Sequence, residues 1–131
     1  MRTASGRTSR ACGFTLIELL VVMVIIATLL TIAAPRYFRS VERAKEAVLV
    51  QDLAVLRDAI DKFQADRARY PESLDELAVE RYIRGVPVDP ITKSRDTWVA
   101  VASEDPELPG VRDVRSGAET LSSRGIPYNE W

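Results

Sequence analysis

Apolar residues are concentrated in one uninterrupted run near the start of the chain. Residues 14–34 read FTLIELLVVMVIIATLLTIAA and contain a single ionisable side chain, Glu18. As an α-helix this segment would be about 32 Å long, which matches the hydrocarbon core of a bilayer. A single span in lipid has to satisfy its own backbone hydrogen bonds, so it must be helical although valine and isoleucine are poor helix formers in water. The pattern predicts a transmembrane helix.

Beyond Pro35 the apolar residues recur at helical spacing. The stripe consists of two series: Tyr37, Val41, Ala44 and Val48, then Leu49, Leu53, Leu56, Ile60 and Phe63. Pro35 removes one backbone hydrogen bond, so we expect it to kink the helix or melt it locally. The helix should then resume, lie with its stripe against a small domain, and end at Tyr70-Pro71.

Shorter elements follow. Residues 72–80 predict a short helix. Residues 97–102, TWVAVA, are the best strand candidate, and 111–115 predict a second strand after a stretch rich in turn residues. The remainder, 116–131, has little periodicity and predicts a loop packed inward through four side chains: Ile126, Pro127, Tyr128 and Trp131.

Charge is distributed along the same boundaries. Residues 1–13 hold three arginines and no acid, residues 14–35 hold only Glu18, and residues 36–131 hold 15 bases and 18 acids. The formal charge of the 131 residues is -1, which gives no reason to expect nucleic-acid binding. The far end of the apolar segment is flanked by Arg36, Arg39, Arg43 and Lys45, so charge counting alone leaves the membrane orientation open.

Residue types suited to catalysis or metal binding are scarce. The chain has no histidine, and its single cysteine, Cys12, lies before the apolar segment. This composition excludes Ser-His-Asp and Cys-His catalysis, the commoner zinc sites and an internal disulfide. The glycines stand singly, so none forms a phosphate-binding loop. Adjacent carboxylates such as Asp75 and Glu76 are more often solvated surface than a catalytic pair, and the chain is not predicted to be an enzyme.

Glu18 is the residue that a simple membrane anchor does not explain. An acid at the centre of a span costs about 2.5–3.5 kcal/mol, and less near an end, where it can lie hydrated or protonated at the interface. A cut before Phe14 would place a protonated α-amino group one helical turn from Glu18. The helix macrodipole would add about 0.3–1 kcal/mol.

The string Gly13-Phe14-Thr15-Leu16-Ile17-Glu18, after a basic leader and before an apolar span, resembles the class III signal of type IV prepilins and type II secretion pseudopilins. The resemblance implies that a prepilin peptidase and methyltransferase cuts between Gly13 and Phe14 and methylates the Phe14 amine. It also implies that Glu18 pairs with the amine of a neighbouring subunit during assembly, although the spacing allows a contact within one subunit equally well.

The same resemblance implies three regions. Residues 1–13 would be the leader peptide, 14–35 a transmembrane and filament-core helix, and 36–131 a periplasmic domain. The protein would then lie in the bacterial inner membrane with a single span, and in a periplasmic filament after assembly.

The order of motifs in the second half resembles that of the major, G-type pseudopilins. These motifs are Tyr70-Pro71, a leucine-bearing helix, Val86-Pro87-Val88-Asp89-Pro90, a strand, Ser116-Gly117-Ala118-Glu119 and a final tryptophan. The resemblance implies an α+β, type IV pilin-like fold. In that fold a long N-terminal helix, transmembrane in its first half, packs on a small antiparallel sheet with an ordered C-terminal loop.

The function implied is structural. The subunit would polymerise with copies of itself through its N-terminal helix and drive protein export across the outer membrane. Its partners would be other pseudopilins, an inner-membrane assembly platform and a cytoplasmic ATPase. No cofactor is expected: many G-type pseudopilins bind calcium in the last loop, but here Asp113 and Glu119 are the main candidate ligands, and a hard cation needs several oxygens at once.

Three alternatives remain open at this point. A type IV pilin or minor pilin would build a surface fibre, but pilins commonly close their last loop with a disulfide that this chain cannot form. A monomeric signal-anchored periplasmic binding domain would leave Glu18 and the Gly13-Phe14 junction without a purpose. A cleaved secretory signal would have a shorter apolar core, no acid, and no proline at the position of Pro35.

Overall fold

The computed structural model describes residues 12–131, so all but the last two residues of the predicted leader lie outside the described part. The chain divides into two compact units, one ending at Phe38 and the other covering Arg39–Trp131. The regular elements are helix α1 Leu16–Arg67, helix α2 Leu74–Val79, strand β1 Val99–Ala102, strand β2 Val111–Arg115 and a 3₁₀ turn Tyr128–Glu130. This composition confirms the α+β class.

Helix α1 is 52 residues long and passes through Pro35 without interruption. The local melting predicted at Pro35 is therefore wrong: the helix continues on both sides in spite of the backbone hydrogen bond that proline removes. A kink at Pro35 stays a prediction. The helix ends at Arg67, before the predicted end at Tyr70-Pro71, since Ala68 adopts a left-handed φ of 54°.

The second unit is built around one buried stripe of α1. The predicted series from Leu49 to Phe63 is confirmed, and these side chains form the centre of the core. The earlier series is wrong: Tyr37 is 66% exposed and Val48 is 49% exposed. Full burial on α1 begins only at Glu46, its first buried residue, while Val41 is half-buried.

Helix α2 lies at the position predicted for it and covers one end of this core. Ser73 caps its first turn, where the Ser73 hydroxyl accepts a hydrogen bond from the Glu76 N–H at 3.4 Å. Leu74 and Leu77 form its buried face. A short amphipathic helix is stable here because its cap and its apolar face are both satisfied by neighbours.

The two predicted strands pair in an antiparallel sheet, with Val99 opposite Arg115 and an irregularity after Val101. Strand β2 buries Val111 and Val114 in the core, whereas β1 is mostly exposed. Directly after β2 the backbone passes so close to the carbonyl of Thr97 that a Cβ at Gly117 would lie 2.0 Å from its oxygen. Only glycine fits at that crossing.

The C-terminal loop is ordered, as predicted. Its chain reverses between Leu121 and Pro127, which form an isolated bridge. Tyr128 is buried, and its ring packs on Trp131 with centroids 5.3 Å apart. Ile126 does not pack inward: it is 45% exposed, because it ends the tight turn that begins at Ser122 and projects into solvent.

Candidate functional site

The apolar segment of α1 presents its side chains outward on every side. It is long and apolar enough to cross a membrane, and none of that stretch is buried within residues 12–131. Phe14, just before the helix, is 87% exposed. Exposure of so large an apolar surface to water is unfavourable, so this surface must be covered by lipid or by protein.

The hydroxyl groups of the two threonines inside this segment are already satisfied. The hydroxyls of Thr28 and Thr31 donate to the carbonyls of Val24 and Ala27, each at 2.8 Å. Both bonds run back along the same helix, so they need neither water nor a neighbouring chain. The segment is therefore compatible with a hydrocarbon environment in spite of its two threonines.

The predicted processing residues lie immediately before α1. Gly13 and Phe14 have no regular secondary structure and are exposed, and a Cβ at Gly13 would meet nothing within 4 Å. An exposed, non-helical peptide bond is the form that a peptidase needs to reach. Glu18 follows in the first turn of α1, where it is exposed and takes part in none of the ion pairs among the described side chains.

Thr15 is a residue whose role the sequence analysis missed. Its hydroxyl accepts a hydrogen bond from the Glu18 N–H at 3.2 Å, so Thr15 caps the start of α1. The available signal was the spacing Thr-x-x-Glu before an apolar run, which is the pattern of a capping box. Glu18 therefore lies at a defined helical position, in the turn where the macrodipole favours an anion.

A second missed residue, Glu46, fastens the C-terminal loop to α1. This carboxylate is only 7% exposed and accepts three hydrogen bonds. The Ser123 N–H and hydroxyl donate at 2.6 Å each, and the Tyr128 hydroxyl donates at 3.0 Å. We call this arrangement the Glu46 clamp. Its sequence signal was weak, because Glu46 is one acid among several in a charged stretch of helix.

The clamp shifts the pKa of both ionisable partners. Burial raises the pKa of the Glu46 carboxyl, but the hydrogen bonds from Ser123 and Tyr128 outweigh burial, so its pKa lies below the ordinary value. Burial, followed by the hydrogen bond to Glu46, raises the pKa of Tyr128 to about 12. The arrangement is therefore a charged carboxylate held by neutral donors.

The motifs that carried the sequence resemblance meet in space. The carboxylate of Asp89, which is 0% exposed, accepts hydrogen bonds from the Ser116 hydroxyl at 2.5 Å and from the Ile91 N–H at 2.8 Å. The Pro71 carbonyl accepts from the Val111 N–H at 2.8 Å, where β2 begins. Residues of the motifs that carried the resemblance therefore form hydrogen bonds that hold the domain together.

Asp113 and Glu119, the candidate ligands of the doubtful calcium site, do not assemble into one. Asp113 is paired with Arg57 at 2.8 Å, and Arg57 also donates to the backbone oxygens of Val114 and Trp131 at 3.0 Å each. Glu119 is exposed, and residues 12–131 contain no group of three carboxylates, histidines or cysteines placed to hold a metal. Asp113 Oδ1 already accepts a hydrogen bond from Arg57, and calcium needs several oxygen ligands at once. The residues present therefore do not fit a calcium ion.

Comparisons with known proteins agree with this geometry. The family described as Prokaryotic N-terminal methylation motif matches residues 8–34. The chain is 33% identical over 99 residues to the type II secretion system core protein G of Escherichia coli (strain K12), covering 63% of this chain and 68% of that protein. The Dickeya chrysanthemi protein of the same name is 29% identical over 97 residues, which are 74% of this chain and 63% of its own length. The Klebsiella pneumoniae protein is 39% identical over 62 residues, 47% of this chain and 44% of that protein. No solved structure matches the chain significantly.

Proposed function

Because the chain belongs to the family of type II secretion system core protein G, we propose that it is the subunit from which a pseudopilus is built by polymerisation. Its work is mechanical: a growing periplasmic filament pushes proteins across the outer membrane. The energy comes from a cytoplasmic ATPase, and an inner-membrane platform and other pseudopilins organise the assembly.

The observation that carries the proposal is the outward apolar surface of α1 together with Glu18 at its start. In the membrane that surface is covered by lipid, and in a filament it is covered by the equivalent helices of other subunits. Van der Waals packing between such helices is favourable, but it is weakly specific. A single charge in the first turn gives the packing one preferred register, because a misaligned acid would lie unpaired among apolar side chains.

The residues before α1 supply the countercharge. We propose that prepilin peptidase cuts the exposed bond between Gly13 and Phe14 and that the freed, methylated amine of Phe14 pairs with Glu18 of a neighbouring copy. The cut removes residues 1–13, including the exposed Cys12. The domain from Arg39 onward then lies in the periplasm, and the described residues include no constellation that would add an enzymatic role.

The intact mass and N-terminal sequence of the protein from its native membrane test this proposal. A chain beginning at Phe14 with one added methyl group is the expected result. A chain beginning at Met1 in a host that possesses the peptidase would contradict processing and leave a simple membrane anchor. A chain beginning near Pro35 would identify an ordinary secretion signal.

A Gly13→Lys variant sharpens the test. A long charged side chain at the scissile bond should block cleavage and retain the leader, whereas the fold of the second unit should be unaffected, because a Cβ at Gly13 would meet nothing within 4 Å. Gly85→Lys, at another glycine with open space around it, is the matched control and should be processed normally.

A further inference from the structure

Arginines cluster on the part of the second unit that follows the apolar segment most closely in sequence. Arg39 and Arg43, one turn apart on α1, line a cavity of about 340 Å³ together with Glu42 and Ser123. Arg124, the next residue of the loop, lies beside it and stacks over the Trp131 ring at 5.7 Å. We call Arg39, Arg43 and Arg124 the arginine groove.

Among the described residues, no carboxylate lies within ion-pair distance of these three guanidinium groups. The ion pairs found within residues 12–131 involve Arg57, Lys62, Arg67 and Arg69. The acids facing the groove are Glu42 at its rim and Glu46 beneath it. Glu46 is hydrogen-bonded to Ser123 and Tyr128 and also interacts electrostatically with Arg124, so three arginines face two carboxylates. The groove therefore carries a surplus of positive charge and fits an anion.

The distance of the arginine groove from the apolar segment along α1 indicates which kind of anion it can reach. A helix rises 1.5 Å per residue, so Arg39 and Arg43 follow Ala34 by about 8 and about 14 Å of helix. The polar headgroup layer on each face of a bilayer is roughly 5–8 Å thick. Arginine side chains extend several ångströms toward that layer while their stems stay on the protein surface. Both groups can therefore reach lipid phosphates on the side of the membrane where the domain lies.

We propose that the arginine groove binds the phosphate of an anionic phospholipid while the subunit waits in the membrane. Guanidinium groups recognise phosphate oxygens in a bidentate manner, which favours arginine over lysine at such a site. The bound headgroup fixes the depth of α1 and keeps the domain close to the bilayer. It also accounts for basic residues on both flanks of the span, which left the orientation open. The inference requires only that the apolar segment spans a membrane, not that the chain polymerises.

The experiment uses the full chain in a neutral detergent and native mass spectrometry. The probes are dioctanoyl phosphatidylglycerol, dioctanoyl phosphatidylcholine and inorganic phosphate, each titrated separately. The test variant is Arg39→Gln/Arg43→Gln, and the matched control is Arg84→Gln/Arg112→Gln, which removes two exposed arginines elsewhere on the same unit. Circular dichroism checks that each variant is folded.

We expect the natural chain to retain phosphatidylglycerol in preference to phosphatidylcholine. The groove variant should bind phosphatidylglycerol at least about tenfold more weakly, because it loses the charge-assisted contacts of two guanidinium groups with the phosphate. The control should bind it as the natural chain does.

Three results would overturn the proposal. One is equal retention of the two lipids, and another is unchanged phosphatidylglycerol binding in the groove variant. The third is inorganic phosphate binding as tightly as phosphatidylglycerol, which would indicate a site for free anions. If the groove variant instead lost self-association in the absence of any anionic lipid, the occupant would be an acidic surface of a second copy.

Discussion

Removing the Glu46 carboxylate should loosen the C-terminal loop from α1. In Glu46→Ala the Ser123 N–H and hydroxyl lose their acceptor, and so does the hydroxyl of the buried Tyr128. Ser123 is exposed, so water can replace its lost bonds at small cost. Tyr128 is buried, and its hydroxyl would be left without a partner.

The size of the effect follows from these environments. Each bond from Ser123 to a charged acceptor contributes about 1 kcal/mol net once water competes, and an unsatisfied buried hydroxyl costs about 1–3 kcal/mol. The free energy of unfolding should therefore fall by about 3–5 kcal/mol. For a domain of this size that lowers Tm by about 12–40 °C. Glu46→Gln keeps one acceptor oxygen and should lose roughly half as much.

The assay is thermal unfolding of the full chain in neutral detergent, followed by near-ultraviolet circular dichroism. This signal reports aromatic packing, here the Tyr128 and Trp131 rings, and is insensitive to the membrane helix. Glu42→Ala, an exposed acid one turn earlier on α1, is the matched control and should change stability by less than about 0.5 kcal/mol. A Glu46→Ala loss no larger than that of the control would refute the clamp.

The clamp also predicts a pH dependence with a defined sign. The pKa of Glu46 is lower in the folded state than its ordinary value of 4.5. Its contribution to stability is therefore fully present above that value and is lost as the pH falls through the folded-state pKa. The acid-induced loss should be smaller in Glu46→Gln, because glutamine does not titrate.

Three further predictions concern the packing of the domain and its stability at high pH. Gly117→Ala should destabilise the domain by about 3 kcal/mol in chemical unfolding, because its Cβ would lie 2.0 Å from the Thr97 oxygen. Gly85→Ala, where a Cβ has open space, should be nearly neutral, and equal effects of the two variants would contradict the close approach at Gly117. Asp89→Asn should cost about 2 kcal/mol, because asparagine keeps only one acceptor oxygen and turns its NH2 group toward either the Ile91 N–H or the Ser116 hydroxyl, both of which donate to the carboxylate. An unchanged denaturation midpoint would show that these bonds contribute little. The folded state raises the pKa of Tyr128 to about 12. The contribution of Tyr128 to stability is therefore fully present below the ordinary pKa of 10.0 and is lost as the pH rises through about 12. Tyr128→Phe should remove that alkaline loss from the unfolding profile.

Local pattern was sufficient for most of the regular structure. The stripe from Leu49 to Phe63 appears where periodicity placed it, because burial of a repeating face determines it. The apolar run and both strands also appear where residue type and run length placed them, although the run is unburied and β1 is mostly exposed. The outcome at Tyr37 and Val48 shows the limit of this reasoning. Apolar spacing indicates which face of a helix can pack, but only the extent of the domain determines where packing begins.

The connections between elements were beyond sequence reasoning for a different reason. Glu46 and Ser123, or Asp89 and Ser116, are distant in sequence, and nothing in the residue types identifies their partners. Buried polar groups find partners through the fold as a whole, so they can be identified only when the backbone path is known. The resemblance indicated that Asp89 and Ser116 belong to motifs, but not that they form a hydrogen bond with each other.

Electron microscopy of filaments tests the central claim most directly. Cells carrying the complete secretion apparatus would produce either the natural chain, Glu18→Lys, or Glu119→Lys, which reverses an exposed acid in the C-terminal loop. Filaments should form with the natural chain and with Glu119→Lys. In Glu18→Lys the charge that we propose to pair with the Phe14 amine is reversed, so processed protein should accumulate in the membrane without filaments. Filaments of normal number and length in Glu18→Lys would contradict assembly through that charge, and their absence with the natural chain would contradict the role as a pseudopilus subunit.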